Sequence, residues 1–217
     1  MKMLYIALLM VFSFVSVASA DIDLPEPKKD GGIGLYEAFN LRESAKSGTF
    51  PSIKLDNDDL SQILWAASGR NRDGNGWTVP MGMGLKPYCK IYVADDSGVY
   101  LYDKENHKLI EISKNDIRKD IANQEFAKTV PCSLIFTTDM EILQNTYSRD
   151  KELASHFASV AAGAMTQHIY LAAANMNLGA RYIYGINRTF IKEELKLSEE
   201  DSAICILLMG KYESKSN

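Results

Sequence analysis

The sequence is poor in the residues and motifs on which several common functions depend. It has three cysteines and three histidines among 217 residues, and no two cysteines form a C-x-x-C pair. His156 and His168 lie about 120° apart around one predicted helix, so they do not form a zinc-binding pair. The motifs G-x-S-x-G, G-x-x-x-x-G-K-[ST] and G-x-G-x-x-G are absent. These absences argue against a zinc centre, a serine-hydrolase elbow, a P-loop and a Rossmann phosphate loop.

An excess of positive charge is also missing. The chain has 24 basic and 28 acidic residues, a net charge of −4, and no basic stripe, which argues against nucleic-acid binding. With 46% hydrophobic and 24% charged residues, the composition is that of a globular protein. A chain of this length buries enough surface to fold without disulfides. Cys89, Cys132 and Cys205 lie in apolar runs, which favours buried free thiols, although an exported protein permits one oxidised pair.

The N-terminal 20 residues differ from the rest of the chain. A lysine precedes an apolar run from residue 4 to 17, and Ala18-Ser19-Ala20 follows. The run is shorter than the roughly 20 residues of a membrane-spanning helix. We therefore predict a cleaved signal peptide at 1–20, no stable membrane anchor after cleavage and a periplasmic or secreted bacterial protein. An uncleaved N-terminal anchor is the alternative. Residues 21–33 are predicted to form an extended arm, and residues 34–217 one domain.

The remaining pattern predicts a mixture of helices and strands. Helices are expected over 34–46, 57–68, 113–123, 150–178 and 189–195. Strands are expected in a hairpin over 90–102 and over 130–137, 180–184 and 203–210, whereas 70–87 reads as a loop. Gly179 is the expected C-cap of the long helix. That helix is rich in Ala and Gly, so it forms either the buried spine of the fold or a subunit interface. These elements predict an α+β or mixed α/β sheet of at most three layers.

Two short segments have the side chains of a ligand site. Arg42, Ser44 and Lys46 place two cations and a hydroxyl within five residues, which suits a phosphate; a charged helix end is the simpler interpretation. The glycine-rich segment 79–84 allows backbone groups to approach a flat ligand; a plain surface loop is the alternative.

Several motifs, taken in order along the chain, resemble those of one known family. They are Arg42-Glu43-Ser44-Ala45-Lys46, the run LWAASGRNR at 64–72, Thr78-Val79-Pro80, the strand VYLYD at 99–103, Val130-Pro131, the run GAMTQHIYLAA at 163–173, and Asn177-Leu178-Gly179. Together they resemble the nitroreductase-like FMN-dependent oxidoreductases, most closely the SagB-type dehydrogenase branch.

The resemblance implies a three-layer α+β fold with a mostly antiparallel central sheet, flanking helices and a long central helix. It also implies a homodimer with FMN at the subunit interface. In such proteins NAD(P)H or another donor reduces the flavin, which passes the electrons to a small organic acceptor. No catalytic side chain and no metal are required, because the flavin performs the chemistry.

The resemblance also assigns site residues. Arg42, Ser44 and Lys46 match positions that hold the flavin phosphate, ribityl chain and ring edge, and Gly185 matches a glycine that lies against the isoalloxazine. Lys211 and Lys215 are the available basic residues beyond the last strand, where many relatives clamp the phosphate.

Other positions depart from the family pattern: Glu43, Met81, Gly84, His168 and Tyr184. They leave a second hypothesis open, a degenerate family member that has lost flavin and serves as a ligand-binding or structural dimer. A different flavin chemistry on the same fold is a third.

Overall fold

The computed structural model describes residues 21–79, 81, 86–147 and 150–213. The predicted signal peptide, Pro80, Gly82, Gly84 and Lys215 lie outside them. Nine strands are described: β1 (Ile22–Asp23), β2 (Arg70–Asn71), β3 (Gly76–Trp77), β4 (Cys89–Asp95), β5 (Gly98–Asp103), β6 (Lys108–Ser113), β7 (Cys132–Thr138), β8 (Leu178–Ile183) and β9 (Ala203–Lys211). Five α-helices are described: α1 (Leu35–Leu41), α2 (Asn57–Ser68), α3 (Met140–Tyr147), α4 (Lys151–Asn175) and α5 (Arg188–Glu194).

Seven of these strands form one sheet in the order β1-β6-β5-β4-β7-β9-β8, and all the neighbouring pairs are antiparallel. The central strand β7 is buried along its whole length, as the apolar run at 130–137 predicts. One face of the sheet packs on α2 and α4, and the other packs on α5 and the segment that carries Ile117 and Ile121. The three-layer α+β prediction, with its long helix, is confirmed.

The main helices begin where their sequences indicate. Asp56 caps α2: its side chain accepts a hydrogen bond from the backbone N–H of Asp59, whose own carboxylate accepts one from the N–H of Asp56. This reciprocal capping box satisfies two donors at the helix start. Asp150 caps α4 through the N–H of Leu153. No described helix is long and apolar enough to span a bilayer.

The predicted helix at 113–123 is wrong. Ser113 ends β6, and the following residues form bends and turns. Ile117 and Ile121 are buried beneath the sheet, and their four-residue spacing resembles a helical face. Arg118 donates to the carbonyls of Val130 and Pro131, so tertiary contacts hold this segment without a helix.

Two helix ends and one loop also differ from prediction. The first helix ends at Leu41 rather than continuing to residue 46, because the chain turns to bond with the sheet edge. The long helix ends at Asn175, and Asn177, with φ 55°, takes the left-handed position expected of Gly179. Gly179 lies instead in β8, opposite Gly210, where Pro51 packs so closely that a Cβ on either glycine would clash. The loop predicted at 70–87 contains the two-strand ribbon β2–β3.

The N-terminal arm is extended and bound to the domain. β1 adds a strand to the edge strand β6. The carbonyl of Pro25 accepts from Ser61 Oγ, and the backbone of Lys28 makes two hydrogen bonds with the Gln62 amide. His107 connects arm and domain: its Nε2 lies 3.1 Å from the Pro25 carbonyl, and its Nδ1 lies 2.8 Å from the hydroxyl of Tyr102.

All three cysteines are free and buried. Burial raises the pKa of Cys89 and Cys205 to about 12, and it also raises the pKa of Cys132. The prediction of buried free thiols is confirmed.

Candidate functional site

The segment after α1 covers the edge strand β8. The backbone N–H of Ala45 donates to the carbonyl of Ala180 at 2.9 Å, and Arg181 Nη1 donates back to the carbonyl of Ala45 at 3.0 Å. Ala45 is buried, whereas Ser44 and Lys46 on either side of it are exposed. Because an extended chain alternates its side chains, the contact that buries Ala45 leaves the neighbouring polar side chains outward.

The hydroxyl of Tyr170 on α4 stabilises this arrangement. It accepts a hydrogen bond from the backbone N–H of Tyr182 at 2.8 Å and lies 3.1 Å from Ser44 Oγ. Having accepted from Tyr182, the hydroxyl has its own proton available for Ser44. Tyr170 therefore satisfies the backbone N–H of Tyr182 at the sheet edge and orients the Ser44 hydroxyl, which the sequence predicts as part of the site.

Two cations remain available here. The guanidinium of Arg42 lies 5.4 Å from the centre of the Tyr170 ring, and within the described residues neither Arg42 nor Lys46 has a carboxylate partner. Burial, and after it the charge of Glu43, raise the pKa of Tyr212. The Glu43 carboxylate is exposed and adds a negative charge next to Arg42 in the chain.

Gly185, two residues beyond β8, lies at the other end of the candidate site. Its carbonyl accepts from the N–H of Asn123 at 3.1 Å. A Cβ at Gly185 would lie 3.0 Å from Gln124 Nε2, and Gln124 Oε1 is a buried atom without a hydrogen-bond partner in the described structure. The backbone of Gly185 and the carboxamide of Gln124, which no described hydrogen bond uses, therefore lie side by side.

Arg181 connects the two ends. Besides its bond to Ala45, its guanidinium lies 5.0 Å from the centre of the Phe126 ring. Phe126 follows Gln124 by two residues. The segment 42–46 and Gly185, which are far apart in sequence, therefore lie along one strand and its extension.

The structure places Lys211 differently from the other assigned residues. Its ammonium group lies 2.8 Å from Asp59 Oδ2 and 3.1 Å from Asp56 Oδ2. These two carboxylates raise the pKa of Lys211, Asp59 most. Lys211 also lines an open cleft beside Pro51, Asn177 and Glu213. Its charge is directed toward the start of α2.

Tyr170, Gln124 and Arg181 were not assigned roles from the sequence. Tyr170 lies inside the quoted helix motif, which offered a signal. Gln124 and Arg181 offered none, because only the tertiary fold brings them to Gly185 and Ala45. Among the described residues no group of His, Cys, Asp and Glu is placed to hold a metal ion.

Comparison with known proteins decides the family. The model of the nitroreductase family matches residues 42–211. The chain belongs to the nitroreductase family. Its members are oxidoreductases that generally use FMN. A protein described as a nitroreductase from Methanocaldococcus jannaschii is 26% identical over 189 residues, which cover 82% of this chain and 91% of the relative.

Two solved structures are similar to this fold. A crystal structure from Ralstonia eutropha JMP134, of a protein described as a nitroreductase, has a TM-score of 0.81 and 31% identity. The match covers 96% of this chain and 97% of the Ralstonia chain. The NADPH:FMN oxidoreductase of Vibrio harveyi, complexed with NAD+, has a TM-score of 0.59 and 17% identity. The match covers 82% of this chain and 69% of the Vibrio chain.

The residues present fit an FMN at both ends of the site. Arg42 and Lys46 are cations without carboxylate partners in the described part of the chain, which suits a phosphate. Gly185 has no side chain, and the Gln124 amide, which no described hydrogen bond uses, lies 3.0 Å from where its Cβ would stand. The exception is Lys211, which two carboxylates already bind.

Proposed function

We propose that the protein is an exported, homodimeric, FMN-dependent oxidoreductase that accepts electrons from NAD(P)H and passes them to a small organic acceptor. On its sequence motifs we place it nearest the SagB-type branch of the family. The observation that carries this proposal is the covering of β8 by the segment 42–46. It brings Arg42 and Lys46, which pair with no carboxylate in the part of the chain that the structure describes, to the strand that leads to Gly185.

Bound FMN would supply the hydride transfer, and the side chains would hold it. Arg42 and Lys46 would neutralise the phosphate. Ser44, oriented by Tyr170, would bond the ribityl chain. Gly185 would allow the backbone to lie against the ring.

An exposed apolar face supports the proposed dimer. α1 exposes Tyr36 (87%) and Phe39 (52%), α4 exposes Val160 (59%), and Tyr184 beyond β8 is 65% exposed. α1 also exposes Leu35 and Leu41, and large apolar side chains exposed together on one short helix mark an interface. Gly163, one turn from Val160 on α4, has open space around its Cβ position, so a second subunit can approach closely.

Gly163→Glu tests the dimer. Nothing in the described structure obstructs the new side chain, and glutamate favours helix over glycine, so the protomer should fold. We expect sedimentation to shift from dimer to monomer, with loss of flavin if the flavin lies at the interface. Thr189→Glu adds the same charge on α5 and should leave the dimer intact. A monomeric wild type would contradict the dimer proposal.

The visible spectrum of the purified mature protein, before and after incubation with FMN and gel filtration, tests the cofactor. We expect a retained yellow chromophore that NAD(P)H bleaches under anaerobic conditions. A bound flavin that NAD(P)H does not reduce would overturn only the proposal that NAD(P)H is the electron donor. For export, N-terminal sequencing of protein recovered from a periplasmic fraction should begin at Asp21.

A second candidate is the degenerate family member that no longer binds flavin. It is favoured by the pairing of Lys211 with Asp56 and Asp59 and by the Glu43 carboxylate, which adds negative charge between Arg42 and Ser44. A protein that stays colourless after soaking with excess FMN would support this candidate and overturn the first.

A further inference from the structure

The Gln124 carboxamide is in an energetically costly position. Its oxygen is buried without a partner, and none of the described hydrogen bonds uses its nitrogen. A buried acceptor left unbonded destabilises the folded protein. An apolar side chain of similar size at this position would avoid that cost.

The backbone holds Gln124 firmly beside Gly185. The N–H of Asn123 donates to the Gly185 carbonyl, the N–H of Asn187 donates to the Ile121 carbonyl, and Ala122 forms an isolated β-bridge with Ile186. The segment before Gln124 therefore runs antiparallel to the segment that contains Gly185.

This arrangement presents a hydrogen-bond donor to anything that lies on Gly185. The Nε2 atom of Gln124 is 3.0 Å from the position where a Cβ of Gly185 would stand, so no side chain separates the amide from that space. A flavin ring edge carries carbonyl oxygens and ring nitrogens that accept hydrogen bonds. Its reduced, anionic form accepts them more strongly, because hydrogen bonds to charged groups are the stronger ones.

We propose that Gln124 is a flavin-contacting residue whose carboxamide donates a hydrogen bond to the ring edge and stabilises the reduced flavin more than the oxidised flavin. This inference rests on the proposed FMN function. It gives the Gln124 nitrogen, which none of the described hydrogen bonds uses, an acceptor beside Gly185.

The test uses the full mature protein with Gln124→Leu and Gln124→Glu, and with Glu125→Leu as control. Glu125 is exposed and pairs with Lys128, so its loss changes the same turn without touching Gly185. For both Gln124 variants we expect the FMN dissociation constant to rise about 2- to 10-fold. We expect the affinity for reduced FMN to fall about tenfold more than the affinity for oxidised FMN. This difference lowers the two-electron midpoint potential of the bound flavin by about 30 mV.

A stability measurement separates this role from a structural one. Because Gln124→Leu removes an unbonded buried oxygen, the flavin-free variant should melt at the same temperature as the wild type or higher. A lower melting temperature together with unchanged flavin affinity would show a purely structural role and overturn the inference. If the wild type binds FMN and both variants bind oxidised and reduced FMN as tightly as the wild type does, the inference about Gln124 fails while the proposed function stands. If the wild type binds no FMN, the proposed function fails with it.

Discussion

The two edges of the central sheet are both covered by chain from the N-terminal part of the protein, yet they differ in what the covering leaves free. At the β6 edge, β1 pairs through its backbone, and Ser61, Gln62 and His107 bond to backbone groups of the arm. At the β8 edge, one backbone bond from Ala45 and the Tyr170 hydroxyl satisfy the strand, while Arg42 and Lys46 remain unpaired among the described residues.

The difference separates a structural edge from a candidate binding edge. Both coverings prevent the pairing with other chains that an open strand invites. At the β8 edge, alternation turns Ser44 and Lys46, on either side of Ala45, outward, and Tyr170 lies within hydrogen-bond distance of the Ser44 hydroxyl. Four substitutions test this difference between the two edges.

The largest effect is expected from Arg42→Ala. Loss of a charge-assisted hydrogen bond costs about 1.5–3 kcal/mol, so the FMN dissociation constant should rise about 10- to 100-fold in a fluorescence titration. The arm edge should be unaffected, with the melting temperature of the flavin-free protein near that of wild type. Stoichiometric, tightly bound flavin in this variant would refute the site assignment.

Tyr170→Phe tests the covering of β8 without removing a charge. The ring under Arg42 remains, but the N–H of Tyr182 loses its acceptor, so the free energy of unfolding should fall by about 1–3 kcal/mol. Chemical denaturation measures this loss. FMN affinity should change less than in Arg42→Ala. A variant as stable as wild type would show that the Tyr182 bond contributes nothing to the edge.

The arm edge should respond to acid. Burial lowers the pKa of His107 in the folded protein, so the unfolded chain binds more protons below about pH 6.5, and stability should fall as the pH decreases from there. His107→Asn removes the titration, and asparagine tolerates the positive φ of 51°.

We therefore expect the variant to show a weaker loss of stability between pH 7 and pH 5, measured by denaturation at each pH. Identical pH profiles for the two proteins would exclude His107 as the titrating group of the arm edge.

Asp56→Asn should have the smallest effect. Asparagine caps a helix as well as aspartate, so α2 should persist, while Lys211 loses one of two carboxylate partners. Exposed ion pairs contribute up to about 1 kcal/mol, so FMN should bind a few-fold more tightly if Lys211 contacts the phosphate. Asp58→Asn in the same turn is the control. Weaker FMN binding in Asp56→Asn would contradict a competition between Asp56 and phosphate for Lys211.

Local signals predicted much of this fold. The cap at Asp56, the apolar run of β7, the hairpin strands and the Ala-rich helix α4 are all properties of short stretches of chain. The 113–123 prediction failed where the local pattern was ambiguous. Ile117 and Ile121 have helical spacing, but they face a sheet that the sequence does not display.

In the candidate site, too, some features follow from local sequence and others from tertiary contacts. Residue type and order alone identify the family and predict Arg42, Lys46 and Gly185 as site residues. The folded chain was needed to show that Tyr170 satisfies the β8 edge, that Lys211 pairs with Asp56 and Asp59, and that Gln124 lies beside Gly185. Each of these contacts joins residues at least 12 positions apart, and the energy of such a contact depends on which groups the fold brings together.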